Sequence, residues 1–246
     1  MSWQTFPLSL GMLTAVISPA LVTFAGLPPQ PKGPSHPQGK VSLVFPPSEN
    51  LGLSYPQRGT LHGGYPCLKE RSRPPIALMP TDGVVTTVAA NPTLFIYVPE
   101  NISREAALYV EDEEGNEVYR ATFVPNQSAG VVKLSLPETV SLAVGKNYQW
   151  SFALTCDSEE GSEAAIVWGW FRRTQLSPNL KTKLEQEKDP LEQAKLYADH
   201  RIWQETLTIL ASLRDSNPTE WEELLKSVKL EAIAQKPFVE CCTIHN

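Results

Sequence analysis

Every second position is apolar in residues 147–156, which read Asn147-Tyr148-Gln149-Trp150-Ser151-Phe152-Ala153-Leu154-Thr155-Cys156. The side chains between the apolar ones are polar or small. A period of two with one apolar face is typical of a half-buried strand in an antiparallel sheet. The segment therefore predicts such a strand and a β-rich core around it.

The same alternation continues on both sides of this segment. It predicts seven strands, at residues 84–89, 93–98, 105–112, 116–124, 129–136, 147–156 and 164–174, with turn residues between them. Seven short strands at this spacing favour a mainly β protein with α-helices, built on an immunoglobulin-like antiparallel β-sandwich over residues 76–176.

A short pattern at the start of the 147–156 strand supports the sandwich. Leu142, Gly145 and Tyr148 follow one another at intervals of three. This arrangement resembles a tyrosine corner, in which the phenol hydroxyl hydrogen-bonds to the backbone upstream. We therefore expect Tyr148 to fix the crossing between the two sheets.

Helical periodicity replaces the alternation in residues 177–236. Apolar side chains recur there every three or four positions, as at Trp203, Leu207 and Leu210. The spacing over residues 187–220 resembles one tetratricopeptide unit, with a turn near His200 and Thr206 in place of the usual small residue. One such repeat cannot bury its own apolar face. The helices of this module are therefore expected to pack on the sandwich, on each other or on a partner, followed by a C-terminal tail at residues 237–246.

The N-terminal residues are typical of export. Residues 1–25 carry no charged side chain, and Thr23-Phe24-Ala25 offers small residues at positions −3 and −1 of a cleavage site. A signal peptide over 1–25 is predicted; a membrane anchor and a buried helix are the alternatives, although prolines interrupt the apolar run. Residues 26–75 form a proline-rich leader, since residues 26–80 hold 12 of the 22 prolines.

Composition and cysteine content narrow the function classes. The chain has 246 residues, 41% of them apolar, with a formal net charge of −6, which argues against a nucleic-acid partner. No stable membrane span is expected after signal cleavage.

Four cysteines in an exported chain favour disulfides with three possible connectivities. A Cys67–Cys156 bond is preferred, and a merely buried Cys156 is the alternative.

No catalytic or cofactor motif is present in the sequence. A cryptic hydrolase would need His62 or His200, and no local signature supports either. Cys241-Cys242-x-x-His245 lacks the spacing of a zinc site, and the carboxylates of residues 111–117 are best explained as a solvated hairpin. We expect no enzyme activity, no cofactor and no metal.

Trp168 and Trp170 share one face of the predicted strand 164–174 and could form a stacking platform for a ligand. Core packing is the ordinary alternative, because Val167 and Phe171 make the opposite face apolar as well. In that case the C-terminal helices would cover the face of the two tryptophans.

Taken as a set, several short motifs resemble those of the cyanobacterial family known as domain of unknown function 928, over residues 58–242. The motifs are Arg58-Gly59, Gly63-Gly64, Cys67, residues 76–80, residues 91–99, residues 115–120, residues 144–150, Cys156-Asp157, Trp168-Gly169-Trp170, residues 196–198 and Ile202-Trp203. The resemblance implies an exported cyanobacterial protein with no assigned activity, and thus no catalytic residues. It also implies that Cys67 and Cys156 are framework positions.

These observations predict an exported protein, periplasmic or extracellular, that acts as a non-enzymatic protein–protein interaction module at the cell envelope. Its contact surface would be the helical module or an edge of the sandwich. The alternative is a carbohydrate-binding module for envelope polysaccharide that uses Trp168 or Trp170. The cryptic hydrolase is the third hypothesis.

Overall fold

The computed structural model describes residues 43–46, 59–60, 68, 73–81, 84–158, 161–240 and 243–244. At 59–60, 156–158, 161–163 and 243–244 only the backbone is described. All of these residues belong to the compact unit Val41–Asn246.

In the described residues, ten strands form two open sheets. The strands are β1 (Gly59–Thr60), β2 (Ile76–Ala77), β3 (Val85–Thr87), β4 (Thr93–Val98), β5 (Glu105–Asp112), β6 (Glu117–Val124), β7 (Gly130–Ser135), β8 (Asn147–Ser158), β9 (Gly161–Arg173) and β10 (Thr243–Ile244). The larger sheet has the order β1-β9-β8-β5-β6-β10, with β3 parallel to β9, and the smaller sheet has the order β2-β4-β7. The seven predicted strands are confirmed with small shifts at their ends; β1, β2 and β10 were not predicted.

Strand β8 shows how side-chain alternation builds the core. Tyr148, Trp150, Phe152 and Leu154 are buried, whereas the residues between them are half-exposed. Strand β8 pairs antiparallel with β5 on one side and with β9 on the other. The buried side chains therefore face the smaller sheet, and the intervening residues lie on the outer face of the larger sheet.

Five helices follow the strands in the described chain: α1 (Pro178–Gln186), α2 (Pro190–Asp199), α3 (Trp203–Leu213), α4 (Pro218–Ser227) and α5 (Glu231–Ala234). Helices α1, α2 and α4 each have proline in the first turn, where its missing N–H costs no intrahelical bond. The predicted turn near His200 is confirmed, because α2 ends there and Arg201 has φ of 59°. Thr206 is fully buried in α3, and its hydroxyl donates to the Ile202 carbonyl at 2.8 Å.

The helical segment covers the smaller sheet. Phe95 of β4 contacts Phe238 with ring centroids 6.3 Å apart, and the Trp203 indole of α3 donates to the Leu78 carbonyl at 3.0 Å. Because one face of β4 meets these residues and the other meets the larger sheet, Leu94 to Val98 are all buried. The expectation that the helices would cover the tryptophan face of β9 is wrong. Residues that follow α5 contact Phe95 and Tyr97, and alternation alone could not assign these two side chains to a layer.

One carboxylate joins the helices to the sandwich. Glu205 of α3 accepts hydrogen bonds at Oε1 from the Thr87 hydroxyl (2.7 Å), the Val88 N–H (2.9 Å) and the Ala89 N–H (3.0 Å). These donors lie at the end of β3. The bonds therefore hold α3 against the edge of the larger sheet.

Parts of the leader and of the tail also contact the folded body. Leu43 is buried against the helices, and Gly59–Thr60 pairs with β9. The Val131 N–H donates to the Pro237 carbonyl at 2.8 Å, and Thr243–Ile244 pairs with β6. The predictions of a proline-rich linker or leader at 26–75 and a C-terminal tail at 237–246 did not include these contacts.

Candidate functional site: the outer face of the larger sheet

Strand β9 turns two indoles away from the core. Val167 and Phe171 are buried between the layers, whereas Ile166, Trp168 and Trp170 are half-buried on the opposite side. The predicted platform residues therefore lie together on the outer face. Two residues along a strand are about 6.7 Å apart, so the indoles are neighbours on this face.

The register of the strands extends this face across the sheet. Trp168 is opposite Ser151, Ser151 is opposite Tyr109, and Tyr109 is opposite Arg120. The Arg120 guanidinium lies over the Tyr109 ring, 5.1 Å from its centroid. At about 4.8 Å per strand, this row is roughly 14 Å long. In this row the small polar side chain of Ser151 lies between the aromatic side chains of Trp168 and Tyr109.

A second row runs beside the first. Trp170 is opposite Gln149, which is opposite Glu111 of β5. A bulge between Val110 and Glu111 then shifts the pairing with β6.

We use the term outer face for Trp168, Trp170, Gln149, Ser151, Tyr109 and Arg120. Sequence analysis missed Tyr109 and Arg120, because only strand pairing brings them beside the tryptophans.

The glycine between the two tryptophans has a packing role. A Cβ at Gly169 would lie 2.5 Å from the Met79 sulfur and 3.1 Å from the Trp150 indole nitrogen. Only glycine admits this approach without displacing a neighbour. Gly169 therefore lets Met79 pack under β9 while the flanking indoles point outwards.

The three residues of the predicted tyrosine corner meet at the start of β8. The Tyr148 hydroxyl accepts a hydrogen bond from the Ala143 N–H at 2.8 Å. Leu142 is buried, and Gly145 has φ of 83°, a left-handed conformation that favours glycine. The Gly145 N–H also donates to the Arg173 carbonyl at 2.7 Å. These contacts tie the loop before β8 to the end of β9.

The acidic hairpin between β5 and β6 is organised by its own turn. Asp112 accepts hydrogen bonds from the Asn116 side-chain amide and from the backbone N–H groups of Asn116 and Glu114. These bonds hold the pKa of Asp112 below its ordinary value, with the Asn116 side chain as the largest cause. The carboxylate thus stabilises the turn.

The described residues give little support to a hydrolase site or to a metal site. His200 is exposed, with Nδ1 2.8 Å from the Leu196 carbonyl oxygen, and His62 lies outside the described residues. Within the described ranges no group of three or more His, Cys, Asp or Glu side chains could hold a metal ion. Cys67, Cys241 and Cys242 lie outside those ranges, and only the backbone of Cys156 is described, so the disulfide stays a prediction.

Burial raises the pKa of two tyrosines. The pKa of Tyr119 in β6 is raised by desolvation. The pKa of Tyr197 in α2 is raised first by desolvation and then by the nearby negative charge of Glu205. Both phenols therefore stay neutral to higher pH than a solvated tyrosine.

Two packed sheets, a covering helical segment and a half-buried aromatic outer face together define a mainly β protein with helices. The sequence profile of the family described as Domain of Unknown Function (DUF928) matches residues 55–238. The chain belongs to this family, as the motif resemblance predicted. No curated protein and no solved structure gives a significant match.

In the part of the chain that the structure describes, no helix is both long and apolar enough to cross a bilayer.

Proposed function

We propose that this protein is an exported, non-enzymatic binding protein of the cell envelope, and that its outer face contacts a partner protein. The observation that carries the proposal is the presence of Trp168, Trp170, Tyr109 and Arg120 on a single sheet face, on the side away from the helices. Trp, Tyr and Arg are the residues that most often dominate binding energy at protein interfaces.

Export is the second element of the proposal. Its support is the uncharged apolar segment 1–25 with small residues before a cleavage site. This segment lies outside the described residues. A periplasmic or extracellular location, and a cyanobacterial source, follow from the sequence as expectations.

The proposal also includes a finer assignment of the fold, as an immunoglobulin-like sandwich followed by a tetratricopeptide-like unit. An immunoglobulin-like sandwich is supported by the chain's passage from β2 in the smaller sheet to β3 in the larger one. The bond from the Ala143 N–H to the Tyr148 hydroxyl has the form of a tyrosine corner. A tetratricopeptide-like unit is supported by the packed pair α2 and α3, with Thr206 buried between them.

The proposal is tested by crosslinking from intact envelopes with the full chain as bait. We expect one defined protein to be captured by the wild type and lost in Trp168→Ala and Arg120→Ala. Truncation of a hot-spot residue costs about 2 kcal/mol or more, which is a roughly thirtyfold loss of affinity. The matched controls are Ile102→Ala, because Ile102 is 65% exposed elsewhere, and Arg104→Ala. Equal capture by all four variants would contradict the proposal.

The point variants are preferable to removing the helical module. A chain ending at residue 176 would expose Phe95 and Tyr97, which the helical segment and the residues that follow it cover. Loss of binding by that truncation would therefore report misfolding rather than loss of a contact.

Envelope polysaccharide is the second candidate ligand for the same face. Two observations favour it: neither Trp168 nor Trp170 is fully buried, and Gln149 and Ser151 offer hydrogen-bonding groups beside them. In that case soluble polysaccharide quenches the indole fluorescence, and Trp168→Ala removes the change while Ile102→Ala does not. Polysaccharide recovery without any protein partner would assign the face to this ligand.

A further inference from the structure

A segment of the leader lies across the helices in extended form. Residues 43–46, which read Leu43-Val44-Phe45-Pro46, are called the leader strap here. Leu43 is 2% exposed and Val44 is 58% exposed, whereas Phe45 is half-buried. The Phe45 ring meets the Trp203 ring edge to face at 4.8 Å, with an interplanar angle of 86°. The strap thus inserts alternate side chains into the helical segment.

The backbone of the strap is held by side chains of α4. The Leu43 N–H donates to Glu223 Oε2 at 3.2 Å, and the Phe45 N–H donates to the Ser227 hydroxyl at 3.2 Å. The Ser227 hydroxyl in turn donates to the Leu224 carbonyl at 2.7 Å. Glu223 and Ser227 are one helical turn apart, about 6 Å, which matches two residues of extended chain. Because the donors in the strap are backbone N–H groups, any extended segment with the same apolar spacing can make these two bonds.

A cavity of about 270 Å³ continues beside the strap along α1 and α2. Among the described residues, its lining includes the carboxylates of Glu187, Glu192 and Asp199 and the cation of Lys195, which pairs with Glu192 at 2.6 Å. This described part of the lining therefore carries an excess of negative charge. In the sequence, Lys40 precedes Leu43 by three positions, in a leader segment richer in basic than in acidic residues.

We propose that the helical segment contains a peptide-binding groove, which the leader strap fills as a ligand within its own chain. The ligand class is an extended peptide with two large apolar side chains at alternate positions. This groove lies on the helices and is independent of the outer face of the larger sheet. A partner peptide of this class reaches the groove by displacing the strap.

The test is a titration of a fluorescent peptide with the sequence of residues 40–46. It is added to the full wild-type chain and to a full chain carrying Leu43→Asp and Phe45→Asp, which empties the groove. A tethered ligand competes at an effective concentration in the millimolar range, so we expect binding to the double variant to be at least tenfold tighter. Val44→Ala is the matched control, since Val44 is 58% exposed and alanine adds no charge to the cavity that it lines, and it should bind like the wild type. A peptide with aspartate at both apolar positions should not bind.

A second measurement keeps the proposal testable if the double variant does not fold. Hydrogen exchange of the Leu43 and Phe45 amides is followed in the wild-type chain with and without an excess of mass-tagged peptide. Displacement of the strap should accelerate their exchange several-fold. Unchanged exchange overturns the proposal, as does failure of the peptide to bind a folded double variant or equal binding to the variant and the wild type.

Discussion

Glu205 is the residue whose removal should separate the helices from the sandwich. Its Oε1 accepts from the Thr87 hydroxyl and from the Val88 and Ala89 N–H groups at 2.7–3.0 Å. Glu205→Ala removes all three bonds without touching the apolar packing of α3. The predicted result is a large fall in the free energy of unfolding from a single half-buried side chain.

The magnitude follows from the donors that lose their acceptor. A hydrogen bond to a charged group contributes about 1.5–3 kcal/mol, but three bonds to one oxygen do not add in full. The Ala89 N–H keeps a second acceptor, the Thr87 hydroxyl at 3.1 Å, so Val88 is the backbone donor left without one. We therefore expect Glu205→Ala to cost about 3 kcal/mol. Glu205→Gln keeps an acceptor oxygen and loses only the charge, so about 1 kcal/mol is expected.

The assay is urea denaturation of the full chain, followed by tryptophan fluorescence and far-UV circular dichroism. Thr208→Ala is the matched control, because Thr208 is exposed on the same helix, and it should change stability by less than about 0.5 kcal/mol. A cost below about 1 kcal/mol for Glu205→Ala would refute the reasoning. So would an equal cost for the alanine and glutamine variants, since loss of the charge alone would then account for the whole effect and the three hydrogen bonds to the acceptor oxygen would have no part in it.

Three further changes test other parts of the structure. Gly169→Ala should destabilise the protein by about 1–3 kcal/mol in urea denaturation, because the new Cβ would overpack against Met79. Tyr148→Phe should cost about 1 kcal/mol in the same assay, since a backbone N–H loses its acceptor. Glu205→Gln should lower the pKa of Tyr197, read by absorbance at alkaline pH, because a negative charge beside the phenol is removed. The folded-state pKa of Tyr197 is raised, so its contribution to stability is complete below the unfolded pKa and is lost as pH rises through the folded one.

The first two changes have a control variant each, and the third has a result that would contradict it. Ser151→Ala alters a small residue on the same sheet, and Gly169→Ala must cost more than it does. Tyr119→Phe removes a hydroxyl from a half-buried tyrosine, and Tyr148→Phe must exceed its effect. An unchanged titration of Tyr197 in Glu205→Gln would show that the carboxylate charge does not reach the phenol.

Periodicity predicted the strands well because each side chain of β8 has a definite face. It could not decide which face of β9 is inside, since Val167 and Trp168 are both large and apolar. It likewise could not show that β4 is buried on both sides, because the second layer over Phe95 comes from residues far along the chain. A local pattern carries no information on such distant neighbours.

Sequence analysis found only part of the candidate site, because a local pattern does not show which distant strands pair with each other. Trp168 and Trp170 are visible in the sequence as a pair at strand spacing. Tyr109 and Arg120 join them through the pairing of β9, β8, β5 and β6, which is a property of the register. The leader strap was missed because its three informative residues, 43–45, are surrounded by prolines and have their hydrogen-bond partners on α4.

The position of the tail has a consequence for biosynthesis. The Val131 N–H and carbonyl of β7 bond to residues 237 and 239, and a Cβ at Gly130 would collide with Val239. While the ribosome is still making the last helices, this strand has an unfilled edge that other chains can pair with. The edge is closed only when the final residues emerge. The time between synthesis of β7 and synthesis of residues 237–239 therefore sets how long the edge of β7 stays open to another chain.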